Sequence, residues 1–491
     1  MSPTATPSEV PTGRRRALAP RWLVVAHRYL GIAVGGLMLL WCLSGFVMLF
    51  VHWPQVTEAQ RTAGLAPLDR AQVLSLDGLI PDAQPIEAAS LEMAGAAPVL
   101  RVRPAGASPQ VFDLVRGAPL ALLDRDRALA AASGYSAGVG AARADMVARD
   151  QWTVTGEFKA LRPFWRVRLA DRAATDLYIS ARTGELAQRT TAAGRLLNWL
   201  GPIPHWLYPA ILRQDGRLWS QVVIWTSLAG TLLTAGGLYL GWTAWRPSRL
   251  TPYRGPMAWH HLAGLFVGLL TLTWVASGLV SMNPWGFLES PEDPTAGRLA
   301  GPPPGWGEAR AALIAGLAAG PARQVRLAPF AGRLFVMSDG RRLDAGGHAA
   351  SLTPQALAAA AGRLGPVAGQ GMIAAGDAYY FTHHEPVRLP AWRVITADGR
   401  RAYVDPASGE LLASVDASAR GYRWLHMGLH RLDFAPGFDR GPAWAMAMIA
   451  LLAAVTFGVG AGVWLGLRRA AHDLRRILRF PAGNLPDKRF Q

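Results

Sequence analysis

Apolar positions are gathered into four runs free of charged side chains. They lie between Arg28 and Glu58, Arg217 and Arg246, Arg254 and Glu289, and Arg440 and Arg468. Each is longer than the roughly 20 residues a helix needs to cross a bilayer. The runs therefore predict membrane helices at 22–52, 218–245, 258–283 and 441–467. Between them the pattern shortens. Phe164–Leu169 alternates as a strand does, and 176–180 and 186–190 flank a turn at Arg182-Thr183-Gly184-Glu185, a hairpin signature. Further signals are a strand at 99–103 and short helices at 69–76 and 124–132. In the second long segment a helix begins at Thr353-Pro354, with Thr as cap and Pro in the first turn. Strands follow at 392–396 and 401–404, then a turn at Ser408-Gly409-Glu410.

The predicted fold is thus a membrane protein: a bundle of four transmembrane helices with two exported α+β domains, 53–217 and 284–440. A basic, disordered stretch covers 1–21, a short connection 246–257 and a basic tail 468–491.

The apolar pattern is also repeated. HRYLGIAVGGLMLLWCLSG from His27 aligns without a gap with HHLAGLFVGLLTLTWVASG from His260, pairing Gly31/Gly264, Gly35/Gly268, Trp41/Trp274 and Ser44/Ser277. A longer repeat runs at a constant offset of 225 from Tyr178/Tyr403 through Gly184/Gly409, Trp199/Trp424, His205/His430 and Trp219/Trp444 to Gly241/Gly466. The chain is internally duplicated, each half being helix, exported segment, helix.

Charge orients this plan. Lys and Arg number 50 against 33 Asp and Glu, a net +17 over 491 residues. Arginines crowd the flanks of the apolar runs at Arg14–Arg16, Arg21 and Arg28, at Arg246, Arg249 and Arg254, and at Arg468, Arg469, Arg475, Arg476 and Arg479. The positive-inside rule then predicts cytoplasmic termini and two segments outside the cytoplasm. With no basic run interleaved with aromatics, a nucleic-acid partner is not expected. The first apolar run is too long for a signal peptide and ends in His52-Trp53-Pro54. The single cysteine, Cys42, excludes internal disulfides, covalent C-x-x-C-H haem attachment and cysteine-based zinc or iron–sulfur sites.

Eleven histidines carry the candidate chemistry. His27 and His260 occupy matched positions near one end of the first and third helices, where an ionisable residue is a functional candidate by default. Two histidines on symmetry-related helices suit the two axial positions of a haem iron. Gly31, Gly35, Gly264 and Gly268 suit a flat macrocycle or a close helix contact. His261 is a rival to His260, although a helix neighbour points about 100° away. His205 and His430 form a second matched pair, with His426 a rival or supporting residue on the same helical face as His430. His383 and His384 are candidates for contact with a metal substrate, or lie in an exposed loop. His52, His348 and His472 have no symmetry support. The glycines at 31–36 fall within a membrane helix, not a nucleotide loop. There is no Rossmann, P-loop or H-E-x-x-H pattern, and no nucleophile–base constellation from which to assign catalytic residues.

The stretches AHRYLGIAVGGLMLLWCLSG, DQWTV, DLYISARTGEL, NWLGPIPHWLYP, YYFTHHEPVRLPAWRV, VDPASGEL and WLHMGLHRLDF resemble the PepSY-associated four-helix membrane proteins, a group that includes haem-containing siderophore-iron reductases of the bacterial inner membrane. The resemblance implies PepSY-like exported domains and two b-type haems ligated by His27, His260, His205 and His430. It implies oxidoreductase activity: electrons pass from an unidentified cytoplasmic donor to a ferric siderophore or other ferric chelate in the periplasm. Arg162, Arg166 and Arg168 would then attract an anionic chelate. PepSY domains also occur as regulators of peptidases, which gives the alternative of a non-redox membrane protein that binds or regulates an envelope partner.

Overall fold

The computed structural model describes residues 20–68, 70–73, 75–246, 248–290, 292–381, 387–434 and 441–479. Four helices are long and apolar enough to cross a membrane: Arg21–Met48, Gly216–Ala244, Pro256–Ser281 and Pro442–Arg479. The shortest has 26 residues, about 39 Å at 1.5 Å per residue, against a hydrocarbon core of about 30 Å. Local chemistry starts them. The Asp215 carboxylate accepts from Arg217 N and Leu218 N at the head of the second, and proline opens the third and fourth, where its missing N–H costs nothing. The fourth helix runs past the expected end at 467 into the basic tail. Ala470 and Ala471 favour helix there, and Arg469 pairs with Asp473 at i,i+4.

The chain divides into two compact units. One holds the long helices, with Val223–Leu279 at its centre; the other comprises Val47–Val222 and Val280–Gly441. In the helical unit the first and third helices each pack on both the second and the fourth, and glycine permits the approach. A Cβ on Gly35 would lie 3.3 Å from Val463, and one on Gly268 2.7 Å from Leu238. Gly458 meets Ala263 and Gly31 meets Leu233 in the same way. Large apolar side chains such as Phe266 and Leu269 stand exposed on the outer faces.

The second unit is built on sheets. Its first segment contains β1 (Ile86–Ala94), β2 (Ala97–Pro104), β3 (Gln110–Asp113), β4 (Ala118–Pro119), β5 (Ala141–Val147), β6 (Phe164–Leu169), β7 (Asp176–Ser180) and β8 (Leu186–Thr190). The second segment contains β9 (Gln324–Leu327), β10 (Phe335–Ser338), β11 (Arg341–Asp344), β12 (Val367–Ile373), β13 (Ala391–Thr396), β14 (Arg401–Val404) and β15 (Leu411–Val415). Each segment has a four-stranded antiparallel sheet of its own, β5-β6-β7-β8 or β12-β13-β14-β15. Both hairpin turns predicted from the repeat are present, with Gly184 and Gly409 at φ +73° and +79°, where a side chain would be strained. A helix packs on each sheet: Arg125–Ser133, capped by Asp124, and Pro354–Ala361, capped by Thr353. Of the helix expected at 69–76, the described residues show a single 3-10 turn, Arg70–Gln72. The Ser75 hydroxyl accepts from Asp77 N, a local bond that competes with helix.

A third sheet departs from the plan of one self-contained domain per segment. Its seven strands run β11-β10-β9-β1-β2-β3-β4, so the two halves are joined by β1 and β9, paired antiparallel as Ser90↔Arg326, Leu91↔Val325 and Glu92↔Gln324. The helix Trp306–Ala318 covers this sheet through Trp306, Ala309, Ala312 and Leu313. The fully buried Glu92 lies at the joint. It is bonded by Arg61, Arg101 and Gln324, which outweigh burial and hold its carboxyl below the ordinary glutamate range.

Candidate functional site

His27, on the first long helix, faces His260 on the third, with ring centroids 6.2 Å apart and planes at 35°. Each ring is fixed by a backbone carbonyl of a neighbouring helix. His27 Nδ1 lies 3.1 Å from Leu233 O, and His260 Nδ1 lies 3.0 Å from Gly458 O. A carbonyl oxygen only accepts, so Nδ1 carries the proton in both and Nε2 keeps the lone pair, the arrangement by which a metal-ligating histidine is held in orientation. Two glycines leave room for the rings: a Cβ on Gly237 would fall 2.6 Å from His27 Cε1, and one on Gly462 2.7 Å from His260 Cε1. Leu233/Gly458 and Gly237/Gly462 both stand at the repeat offset of 225, so the whole setting is duplicated.

The rival His261 points elsewhere. It is buried, its Nε2 lies 3.1 Å from Gly241 O, and its ring stands edge-on to Tyr253 at 5.2 Å. The pair opens on a cavity of about 1570 Å³ walled by all four long helices. Gly31, Gly35, Gly264 and Gly268 line it, and Gly35 and Gly268 also make the close helix contacts. Ser44 and Ser277 hydrogen-bond back to their own helices at Leu40 O and Trp274 O.

The second pair lies in the sheet unit. His205 ends the short helix Pro202–His205, and His430 sits in Leu429–Arg431; their centroids are 6.1 Å apart with planes at 75°. Two residues after each histidine a leucine adopts the left-handed conformation, Leu207 and Leu432 both at φ +53°. Such a conformation costs a bulky side chain about 1 kcal/mol or more and persists only where its surroundings enforce it. The enforcement comes from the four-stranded sheets. Asp150 accepts from Tyr178 Oη at 2.7 Å and Asp377 accepts from Tyr403 Oη at 2.8 Å. Burial, then the paired carboxylate, pushes both phenols well above their ordinary value, so each remains a donor. The residue after each aspartate grips the turn. Gln151 Nε2 donates to Tyr208 O; in the other half Arg423 donates to Ala378 O and to Asp433 O. His426 stacks on His430 at 5.1 Å, within a π-helical stretch, Arg423–Gly428, that has no counterpart in the first half.

Two imidazole bonds of about 2.0–2.1 Å to one ion, laid in line, put ring centroids about 6.3 Å apart. Both pairs match that spacing. Among the described residues no group of three or more His, Cys, Asp or Glu gathers to hold a metal ion; a pair of histidines could hold an iron that a macrocycle already binds.

The arginines expected to attract an anionic chelate are engaged within the fold. Arg168 grips Asp176 with two bonds of 2.7 Å, Arg166 reaches Asp145 at 3.5 Å, and Arg162 donates to Thr153 O and Thr155 O. Arg168 and Arg166 are thus paired with carboxylates, while Arg162 is held by backbone carbonyls. His383 and His384 lie outside the described residues. His348 and His472 are exposed beside Asp344 and Asp473, and the His52 carbonyl accepts from Asn198. Gly237, Gly462 and the two carbonyls were not singled out from the sequence, although the glycines recur in register. Compared with known proteins, the chain matches no family model and no curated sequence.

Proposed function

We propose that this chain is a membrane haem protein that passes electrons from a cytoplasmic donor to a ferric chelate outside, as the siderophore-iron reductases it resembles do. The observation that carries the reading is the duplicated His27/His260 setting, in which two backbone carbonyls fix both tautomers and leave two Nε2 atoms for one ion. One-electron transfer at iron is the chemistry such a group supplies when bound.

The chain's own residues do the rest. His27 and His260 would hold the group through Nε2, while Gly237 and Gly462 leave room for the two rings. The cavity walls are mostly apolar, and apolar surroundings would tune a bound iron. His205 and His430 form the second site, near the extracytoplasmic ends expected of the second and fourth helices. Iron is released because Fe(III) is the harder ion and oxygen chelators hold it more tightly than Fe(II). Absorption spectra of the detergent-purified protein, oxidised and dithionite-reduced, test the proposal. The expected result is a Soret band that shifts on reduction, with split visible bands. A colourless protein after expression with ample haem overturns it.

A further inference from the structure

The cavity at His27/His260 is close to two-fold symmetric. Leu233 corresponds to Gly458, Gly237 to Gly462 and Leu238 to Val463 in the repeat, and Gly31 and Gly35 match Gly264 and Gly268. A b-type haem carries both its propionates on one edge, so a difference in charge between the two ends of the cavity decides which way round it sits. Lining residues that break the repeat can supply that difference.

Three do so with charge. Arg28 stands where the other half has His261, Arg469 where it has Ala244, and Arg246 where it has Ala471. All three line the cavity, and among the described residues no aspartate or glutamate does. They share one end of it: Arg28 adjoins His27, Arg246 follows the end of the second helix, and Arg469 is two turns beyond Gly462 on the same face. Arg469 spends its Nε on Asp473 at 2.9 Å. Among the described residues the guanidinium groups of Arg28 and Arg246 have no hydrogen-bond or ion-pair partner. His261, the counterpart of Arg28 in the repeat, already uses its N–H on Gly241 O, so its remaining nitrogen is an acceptor and repels a carboxylate.

We propose that Arg28, Arg246 and Arg469 form an anion-binding mouth that takes the carboxylate edge of the macrocycle and fixes which way round it sits. This rests on the haem reading above. Guanidinium forks pair with carboxylates in two-pronged geometry, and the apolar wall behind them strengthens the pairing. Lipid phosphate is the other anion such a mouth would accept.

The test uses holoprotein with His205→Ala and His430→Ala, so that the inner pair alone is loaded, in nanodiscs, with apomyoglobin as acceptor for released haem. Release is compared for haem and for haem exchanged to its dimethyl ester. The Arg28→Gln, Arg246→Gln, Arg469→Gln variant is expected to release haem about tenfold faster, the equivalent of one good ion pair. The ester should leave the unsubstituted arginine mouth equally fast, and combining the two changes should add nothing. Arg246→Gln alone, at an exposed helix end, should give an intermediate rate with the Soret band intact, which separates the effect from misfolding. Equal release of haem and ester overturns the proposal. So does an arginine effect seen in phosphatidylglycerol discs and absent in phosphatidylcholine, which assigns the mouth to lipid phosphate. Protein that holds no haem before any arginine is changed defeats the haem reading itself.

Discussion

The two histidine pairs share a spacing and differ in everything around them. At His27/His260 each half supplies the same parts: a carbonyl 3.0–3.1 Å from Nδ1 and a glycine beneath the ring. At His205/His430 the turns match, down to a left-handed leucine, but the supports have diverged. The first half packs Trp53, Trp152, Trp206, Tyr208 and Trp219 together with centroids 5.1–6.2 Å apart. The second uses a buried Arg423 on Phe381, Trp424 and Asp433, and adds His426. On the haem reading proposed above, the inner pair would need only two equivalent ligands and so keep its duplication, while the outer pair would face an asymmetric acceptor and be free to lose it.

The sharpest way to break this comparison is to delete ligands. His27→Ala and His260→Ala should each remove about half the haem, because each empties one two-ligand site. His205→Ala should remove the other half; loss of all haem from any one change would show the sites to be a single folding unit. Gly237→Val and Gly462→Val come next. The added side chain lands on the ligand ring, so both should lose most of the same inner haem and spare the outer, as read from the reduced spectrum. If only one has the effect, the inner symmetry is apparent rather than functional.

Glu92→Gln tests the joint between halves. It strips the carboxylate from two arginines and should cost about 3–5 kcal/mol of stability in the sheet unit by denaturant titration, loosening the outer pair before the inner. Because the folded carboxyl lies below its unfolded value near 4.3, its stabilisation is present above that pH and fades as pH falls through the folded value. The wild type should therefore lose stability on acidification there, and Glu92→Gln should not. The smallest effect belongs to His426→Ala: a shift in the reduced spectrum with haem content unchanged. Loss of the outer haem would make His426 the ligand in place of His430.

Much of this was legible because it is local or repeated. Uncharged runs mark the four long helices, and the Gly184 and Gly409 turns mark the hairpins. The offset of 225 pairs His205 with His430 before any contact is known. The choice of His260 over His261 was not legible, since helix phase says only that the two diverge; the carbonyl of Gly241 decides it. The pairing of β1 with β9 joins residues more than 230 positions apart through backbone groups, which leave no trace in side-chain order. The arginines at 162, 166 and 168 looked available because partners such as Asp145 and Asp176 reach them only across the sheet.

Strand β1 would be an open edge in a half standing alone, and an open edge recruits another strand. The antiparallel pairing of β1 with β9 covers that edge with a strand from the other half of the same chain. Because both strands belong to one polypeptide, the seam closes at any concentration, and each half is free to change without the other.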